Sequence, residues 1–437
     1  MILRVLFFCL AVFAALPARA AVDIQTVTSD GGFTAWLVED HSIPFVALEL
    51  RFKGGTSLDQ PDKAGAINLM VGLLEEGSGD MDAREFARAT ESLAASFGFD
   101  HYDDAVTVSA RFLTENRDQA MDLLRTALTA PRFDEDAIER VRAQVLSGIK
   151  SDLKDPRAIA RRNFETMMYG DHPYGQPESG TIETVTALTR DDLIAAHRGA
   201  LAKDRVYISA VGDIDADQLA GLMDRLLGDL PEFGAPLAGL ADLNFPGGVT
   251  VVPFDTPQSV ALFGQKGIDR EDPDFFPAFV LDLILGGGSF ESRLMQEVRE
   301  KRGLTYGVYT YLVDKDQAKT WMGSVASAND RVAEAVQVIR DEWVRLAEKG
   351  VTQQELDDAK TYLTGAYPLR FDSNAAIANI MVGMQIGDMP IDYIATRNDK
   401  VNAVTLDEVN RVAPELLDPD GLHFVVVGKP EGLETTN

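Results

Sequence analysis

Two side chains in the second half of the chain, Arg299 and Tyr306, have the chemistry and the spacing to hold one bound group. They lie in the segment 286–312, which reads GGGSFESRLMQEVREKRGLTYGVYTYL. A guanidinium and a phenol both donate hydrogen bonds to carbonyl oxygens, and the guanidinium adds a positive charge. We therefore take the pair as candidates for contacting one bound group. Ordinary surface packing is the commoner role for an arginine and a tyrosine at such a spacing, so the alternative stays open.

A glycine-rich loop, a helix and a strand are the elements that must position this pair. Three glycines open the segment and permit close backbone approach and unusual dihedral angles, although such a run is more often only a turn: Gly286, Gly287 and Gly288. Ser289 is suited to cap a helix that runs through Arg299, and Gly303 is suited to end it. A strand that carries Tyr306 is expected to follow.

A stretch near the start of the chain has the residue spacing of a metal site on a helix but not the metal-binding residues. We call this spacing the metal frame. Residues 63–79 read KAGAINLMVGLLEEGSG, an apolar run that predicts a helix. On a helix, Asn68, Val71 and Gly72 share one face, because positions i, i+3 and i+4 are neighbours. A zinc peptidase places two histidines and a glutamate on one helix face in this way. Asparagine, valine and glycine supply none of that chemistry.

No other local motif supplies catalytic or metal-binding groups. The chain has five histidines, and no two of them are paired at i, i+3 or i+4 as in a zinc helix: His41, His101, His172, His197 and His423. No G-x-S-x-G motif indicates a serine nucleophile. No glycine-rich phosphate loop follows a strand, which disfavours nucleotide binding.

Length and charge limit the classes of function. The chain has 437 residues, of which 46% are hydrophobic and 25% charged, and this length predicts two or more domains. The formal charge of −28 repels a phosphate backbone, so nucleic acid is not expected as a partner. The acidic residues are spread through the chain, which favours solubility over a preference for cationic ligands.

The first twenty residues predict an export signal. Arg4 supplies the positive start, residues 5–16 are apolar, and Ala18-Arg19-Ala20 has the small-x-small pattern of a cleavage site. The apolar run is too short to span a bilayer comfortably. Cys9 is the only cysteine, so the mature chain is expected to have no disulfide and no thiol nucleophile. We expect a periplasmic protein with no membrane span after cleavage.

The sequence also repeats itself. VTALTRDDL at 185–193 returns as VNAVTLDEV at 401–409, and ISAVGDI at 208–214 returns as FVVVGKP at 424–430, each 216 residues further along. Two weaker pairs recur in the same order at nearly the same offset: VALEL at 46–50 with VALFG at 260–264, and VLSG at 145–148 with YLTG at 362–365. Recurrence at one offset indicates a tandem duplication.

The duplication predicts the domain organisation. We expect a signal peptide at 1–20, an N-terminal domain at 21–229, a linker at 230–248 rich in proline and glycine, and a C-terminal domain at 249–437. Within each copy, strands come first, helices follow and a strand returns near the end. This order predicts an α+β fold in which each domain is an antiparallel sheet with helices packed on one face.

These segments and the repeat resemble the M16 (pitrilysin-like) zinc peptidases, in particular the short-chain group of processing peptidases. The resemblance covers essentially the whole mature chain. It rests on K-A-G at 63–65, on HPYG at 172–175 and on SRL…REKRGLTY at 292–306, of which the last is specific.

The resemblance implies that the metal chemistry lies elsewhere. Catalytic M16 subunits carry H-x-x-E-H on the first long helix of the N-terminal domain, and a distant glutamate completes the zinc shell. The matching positions here are Asn68, Val71 and Gly72, and the place of the distant glutamate falls around Gly148. No cofactor is therefore expected in this chain, and zinc is expected in a partner subunit.

The resemblance also assigns a role to the candidate pair. Non-catalytic M16 subunits carry an arginine and a tyrosine at the spacing of Arg299 and Tyr306, which hold the substrate peptide beside the partner's zinc, and a glycine-rich loop that the run at 286–288 resembles. The implied function is that of the non-catalytic subunit of a periplasmic heterodimer. Its expected partners are a catalytic M16 subunit with H-x-x-E-H and an unfolded peptide. The alternative is a stand-alone homodimeric pseudoenzyme that binds peptides without hydrolysis.

Overall fold

The computed structural model describes residues 23–288 and 291–436. The predicted export signal at 1–20 and the proposed cap Ser289 lie outside the described residues. The first half contains these elements in chain order: β1 Gln25–Thr28, β2 Thr34–Glu39, β3 Phe45–Lys53, α1 Ala66–Val71, β4 Gly77–Ser78, β5 Met81–Asp82, α2 Ala83–Ser92, β6 Ser96–His101, β7 Ala105–Leu113, α3 Arg117–Thr129, α4 Glu135–Asp152, α5 Pro156–Tyr169, α6 Ile182–Ala187, α7 Arg190–Ala200, β8 Val206–Gly212 and α8 Ala216–Leu227.

The second half follows a similar order with fewer elements: within the described residues it has five strands instead of eight, and no helix follows its last strand. Its elements are β9 Gly248–Pro253, β10 Gln258–Lys266, α9 Phe275–Leu285, β11 Val308–Lys315, β12 Ala318–Ala328, α10 Val332–Lys349, α11 Gln353–Ala366, α12 Asn374–Ile386, α13 Tyr393–Ala403, α14 Leu406–Leu416 and β13 His423–Gly428. A short π-helix, Met295–Glu300, lies between α9 and β11.

Each half is built on one sheet, which confirms the α+β fold expected from the order of the elements. The first sheet has six strands in the order β1-β2-β8-β3-β7-β6, and the second has five in the order β11-β12-β10-β13-β9. The pairs are antiparallel except β2–β8 and β9–β13, which are parallel. These two exceptions arise because the last strand of each half returns through a long helical connection, as parallel pairing requires.

The sequence repeat corresponds to equivalent structural elements. β3 and β10 both lie at interior positions of their sheets, beside the returning strands β8 and β13. The repeated threonines act as predicted: Thr189 accepts a hydrogen bond from the Asp192 backbone at the start of α7, and Thr405 accepts one from Glu408 at the start of α14. Both sites are complete capping boxes, so the two copies begin these helices by the same mechanism.

The two halves exchange one helix each, which the sequence did not indicate. Helix α5 of the first half packs against β10 and β13 of the second sheet, and helix α12 of the second half packs against β3 and β8 of the first. On α12, the backbone carbonyl of Ala378 accepts a hydrogen bond from Ser209 Oγ at 2.6 Å, and Gln385 donates to the carbonyl of Ile208 at 2.7 Å. Each sheet therefore has helices on both faces.

The HPYG stretch at 172–175 forms hydrogen bonds with both halves. Tyr174 is 1% exposed, hydrogen-bonds Asp104 of the first half and accepts from the Gln317 backbone of the second at 3.1 Å. Lys315, which forms an ion pair with Asp103, lies 4.8 Å from the centre of the Tyr174 ring. The motif is a contact between the halves.

The segment between α8 and β9 contains no helix or strand. Hydrogen bonds connect it to the rest of the chain. His172 Nε2 lies 2.9 Å from the carbonyl oxygen of Gly239, and the Asn244 backbone donates to Met168 at 2.9 Å. Within the described ranges, no helix is long and apolar enough to cross a membrane.

We predict that Phe164→Ala destabilises both halves together. Phe164 is fully buried on α5 against the second sheet. Truncating it leaves a cavity in the contact between the halves, so the free energy of unfolding should fall by about 3–5 kcal/mol. Urea unfolding followed by circular dichroism measures the change.

The matched control is Phe233→Ala, because Phe233 is 76% exposed. Its free energy of unfolding should stay within about 0.5 kcal/mol of the unmodified protein. Equal effects of the two variants would contradict the packing role of α5.

Candidate functional site

The helix that carries the metal frame is shorter than the sequence predicts. Helix α1 ends at Val71, and the following turns are tightened by bonds from Leu73 to Met70 and from Leu74 to Val71. Within the stretch 63–79, the α-helix is therefore limited to Ala66–Val71. The start of α1 is fixed by the buried carboxylate of Asp59, which accepts from the backbone of the first helical turn.

Asn68 is hydrogen-bonded to another side chain at the place where a zinc ligand would stand. Its Oδ1 lies 2.9 Å from Nε2 of His101, the last residue of β6. Burial lowers the pKa of His101, so the imidazole is neutral at pH 7 and Nε2 donates to the amide oxygen. The side chain of Asn68 thus bonds to protein rather than to a metal.

The other three positions offer no ligand atom from their side chains. Val71 is 4% exposed in the core. A Cβ on Gly72 would lie 3.1 Å from the Val141 side chain of α4, the helix that also carries Gly148. In the described ranges, no group of three or more His, Cys, Asp or Glu side chains is placed to hold a metal ion. The residues present do not fit zinc.

Arg299 lies near the end of the π-helix. Its side chain is 33% exposed, and Nη1 pairs with Glu300 Oε1 at 3.2 Å. Gly303 ends the helix as predicted: its φ is +59°, and its N–H donates to the Arg299 carbonyl at 2.8 Å. A left-handed φ is accessible to glycine at little cost, so the sequence signal here was reliable.

Tyr306 precedes the strand rather than lying on it. The prediction that the strand carries Tyr306 is wrong, because β11 begins at Val308. The turn is anchored by Thr305, whose hydroxyl bonds to the carbonyl of Ala326 on β12 at 2.7 Å. Tyr306 itself is 89% exposed, so it has little contact with its own chain and is not packed against Arg299.

The three glycines divide into two structural residues and one open residue. A Cβ on Gly286 would lie 2.7 Å from Thr310 Oγ1 and 2.9 Å from the Thr310 backbone nitrogen. A Cβ on Gly287 would lie 2.6 Å from the Cα of Leu283. Gly288, with a φ of +86°, has no atom within 4 Å of that position. Of the three, only Gly288 therefore has space for a side chain among the described residues.

The edge strands of the two sheets lie beside the two candidate regions. β6 ends the first sheet and finishes at His101, next to Asn68, while β11 ends the second sheet and follows Tyr306. An edge strand leaves a row of backbone N–H and C=O groups without a strand partner. In β11 the N–H of Thr310 already donates to the Gly286 carbonyl at 3.0 Å, so only the rest of this edge is open. Tyr309 and Tyr311 of β11 are 43% and 45% exposed, and this alternation of aromatic residues is the signal from which the exposed face could have been found.

A cavity of about 490 Å³ lies between part of α5 and the second sheet. Glu165 of α5 and Lys315 of β11 both line it. Burial raises the pKa of Glu165 to about 7, although the charges of Lys315 and Arg161 oppose that shift. Glu165 is thus a carboxyl group that titrates near neutral pH at the contact between the halves.

The chain consists of two such halves. Its zinc-motif positions carry no metal-binding residues, and its second half exposes an arginine–tyrosine segment. This is the architecture of a two-domain peptidase homologue without catalytic ligands. Residues 34–182 match the family model "Insulinase (Peptidase family M16)", and residues 187–363 match "Peptidase M16 inactive domain". The two models follow one another along most of the chain. The protein belongs to the M16 family, as a non-catalytic member.

Relatives and solved structures agree with the assignment to the M16 family. The chain is 27% identical over 390 residues to the "Non-peptidase homolog YmxG" of Helicobacter pylori, covering 89% of this chain and 90% of that protein. It is 25% identical over 406 residues to the "Uncharacterized zinc protease YmxG" of Bacillus subtilis, covering 91% and 96%.

The crystal structure of a peptidase M16 inactive domain from Pseudomonas fluorescens superposes with a TM-score of 0.85 at 29% identity, covering 94% of this chain and 99% of that chain. A protease structure from Helicobacter pylori, at 16% identity and a TM-score of 0.83, covers 93% and 99% and shares the fold.

We predict that Gly148→Ala stabilises the protein. Gly148 lies inside α4 with no atom within 4 Å of its missing Cβ, so alanine fits without a clash. Alanine lowers the entropy of the unfolded chain, and the free energy of unfolding should rise by about 0.5–1 kcal/mol in urea titrations. Gly72→Ala is the control, because its Cβ meets Val141 and the gain should be smaller. Destabilisation by Gly148→Ala would show that this position has a structural role.

We predict that Glu165→Gln changes the pH dependence of stability. The pKa of Glu165 is raised from 4.5 to about 7 in the folded state. Its contribution to stability is therefore present below pH 4.5 and is lost as the pH rises to about 7. Compared with Glu165→Gln, the unmodified protein should lose about 1–3 kcal/mol between pH 5 and pH 8.

Urea unfolding of both proteins at pH 5 and pH 8 measures this difference. The other titratable groups that act on Glu165 are Lys315, Arg161, Asp103 and Glu178, and all four remain in the variant. A difference between the two proteins that stays constant across this range would contradict a pKa near 7.

Proposed function

We propose that this chain is the non-catalytic subunit of a periplasmic, heterodimeric M16 zinc metallopeptidase. It binds unfolded peptide and holds it in an active site whose zinc belongs to the partner subunit. The observation that carries the proposal is the position of Tyr306, which is 89% exposed on an anchored turn at the open edge of the second sheet. An aromatic side chain held in solvent by a fixed backbone is suited to contact another molecule.

The lack of metal-binding residues at the zinc-motif positions supports a binding role for this chain and a catalytic role for its partner. Asn68 bonds to His101, Val71 belongs to the core, and Gly72 and Gly148 carry no side chain. These four positions therefore supply no group to bind zinc or activate water, and the described residues contain no cluster of three or more His, Cys, Asp or Glu placed to hold a metal. Any contribution to hydrolysis has to come through binding and orientation.

Edge strand β11 supports an extended peptide as the ligand. A peptide in β conformation can add to an open sheet edge through backbone hydrogen bonds, which fix its direction without demanding a particular sequence. Such a peptide would run beside Tyr309 and Tyr311 and leave the sheet near Tyr306. From there, Arg299 and Tyr306 are suited to donate hydrogen bonds to its carbonyl oxygens.

We predict that Arg299→Ala lowers the activity of the complex without dissolving it. The test co-expresses this chain with an M16 subunit that carries H-x-x-E-H and measures cleavage of an unfolded peptide. Loss of one positioned donor to the reacting carbonyl typically lowers kcat by about 10²-fold. The ion pair between Arg299 and Glu300 is at the surface, so folding should be preserved.

The control is Arg88→Ala, which removes an exposed arginine from α2 and should leave the rate unchanged. Gel filtration of each variant with the partner shows whether the complex survives. Zinc and full activity in this chain alone would refute the proposal, as would an unchanged rate for Arg299→Ala. Peptide binding by a homodimer, without a partner or cleavage, would favour the pseudoenzyme instead.

A further inference from the structure

A second cavity, of about 420 Å³, is basic although the chain as a whole is strongly acidic. Residues of α9, β11, α12 and α13 form most of its wall, and β3 of the first half contributes one residue. Four arginines line it: Arg51, Arg270, Arg370 and Arg397. Asp314 is the one carboxylate in the lining. A protein with a net charge of −28 does not acquire such a surface from its average composition.

Three of these arginines have no acidic partner. Arg270 is neutralised, because its Nε pairs with Asp314 at 3.0 Å. Within the described ranges, Arg51, Arg370 and Arg397 form no ion pair with a carboxylate. The Nε of Arg51 is buried and has no hydrogen-bond partner at all. A buried donor without a partner indicates a missing ligand or water.

Two of the three guanidinium groups are held in place. Arg51 donates to Asn379 Oδ1 at 2.8 Å and lies over Gly383 of α12, where an added Cβ would come within 3.3 Å of Arg51 Nη1. Arg397 is 6% exposed, donates to the carbonyl of Leu363 at 2.7 Å and lies 4.5 Å from the centre of the Tyr367 ring. Fixed donors lose little entropy when they bind a ligand.

The electrostatic environment favours an anion at this place. Burial lowers the pKa of Arg51 and of Arg397, which shows that both charges lie in a poorly solvated region. The carboxyl group that acts most on Arg51 is Glu49, and burial raises the pKa of Glu49 to about 7. Glu49 is therefore only partly ionised at neutral pH and is a weak counterion. An added carboxylate would supply the missing charge.

The cavity is continuous with the edge strand on which the peptide is proposed to lie. Tyr311 of β11 lines both this cavity and the one beside α5, and Arg370 is exposed at the protein surface. We propose that the cavity binds a carboxylate of an extended peptide, through Arg51, Arg370 and Arg397. This inference rests on the proposed function and adds a preference for acidic peptides. Arginine suits the role, because its planar guanidinium binds carboxylates in a bidentate manner.

The test uses fluorescence anisotropy at pH 7 with the mature chain and three labelled peptides of one length. The first contains glutamates and an amidated C terminus, the second replaces each glutamate by glutamine, and the third is the glutamine peptide with a free C terminus. The glutamate peptide should bind at least about tenfold more tightly than the amidated glutamine peptide, since hydrogen bonds to charged groups are the strong ones. Arg370→Gln should remove most of that difference.

Arg88→Gln is the control, because it removes the same charge from an exposed position on α2 and should leave all three affinities unchanged. Tight binding of the free glutamine peptide would identify the terminal carboxylate as the group that is bound. Equal binding of all three peptides, unaffected by Arg370→Gln, would overturn the carboxylate site and leave peptide binding intact. Failure of every peptide to bind would overturn the proposed function as well.

Discussion

The exchange of α5 and α12 between the halves is the constraint on which the rest of the structure depends. A sheet that packs helices on one face leaves the other face to solvent, and such a face is normally polar. Here those faces carry Ala47, Val211, Val425 and Val427, all of which are buried. Water is excluded from them because a helix of the opposite half covers them. Neither half can bury its own sheet completely.

The cavities follow from the same exchange. One borders α5 and the other borders α12, and Tyr311 lines both. Space for a ligand is thus left where the two halves meet. Tyr174 and Lys315 form polar contacts between the two halves, and these contacts do not fill the cavities.

The fold does not need metal-binding residues on α1, because this helix packs into the hydrophobic core. Leu69, Met70 and Val71 are buried, so packing specifies the helix whatever its remaining positions carry. Histidines and a glutamate gathered at one place without a metal would add desolvation cost and charge repulsion. Where no metal is bound at these positions, asparagine and glycine are the less costly residues.

Local signals in the sequence predicted local structure well. The capping residues Thr189 and Thr405, the helix end at Gly303 and the duplication itself depend on neighbours in the chain or on the comparison of the two copies. The α+β fold followed from the order of the elements. The candidate site was predicted only in part: Arg299 and Tyr306 came from spacing and resemblance, and Tyr306 was placed on the strand in error.

The remaining features depend on contacts between residues far apart in sequence, which no local pattern records. The basic cavity combines β3 with α12, and Tyr174 meets Gln317 across the two halves. The average charge of the chain was misleading for the same reason. A formal charge of −28 describes the chain as a whole, whereas Arg397, which is buried, and Arg51, which is partly buried, line one cavity. A protein can thus repel polyanions at its surface and still favour a single carboxylate within, because screening makes electrostatic selection local to the cavity.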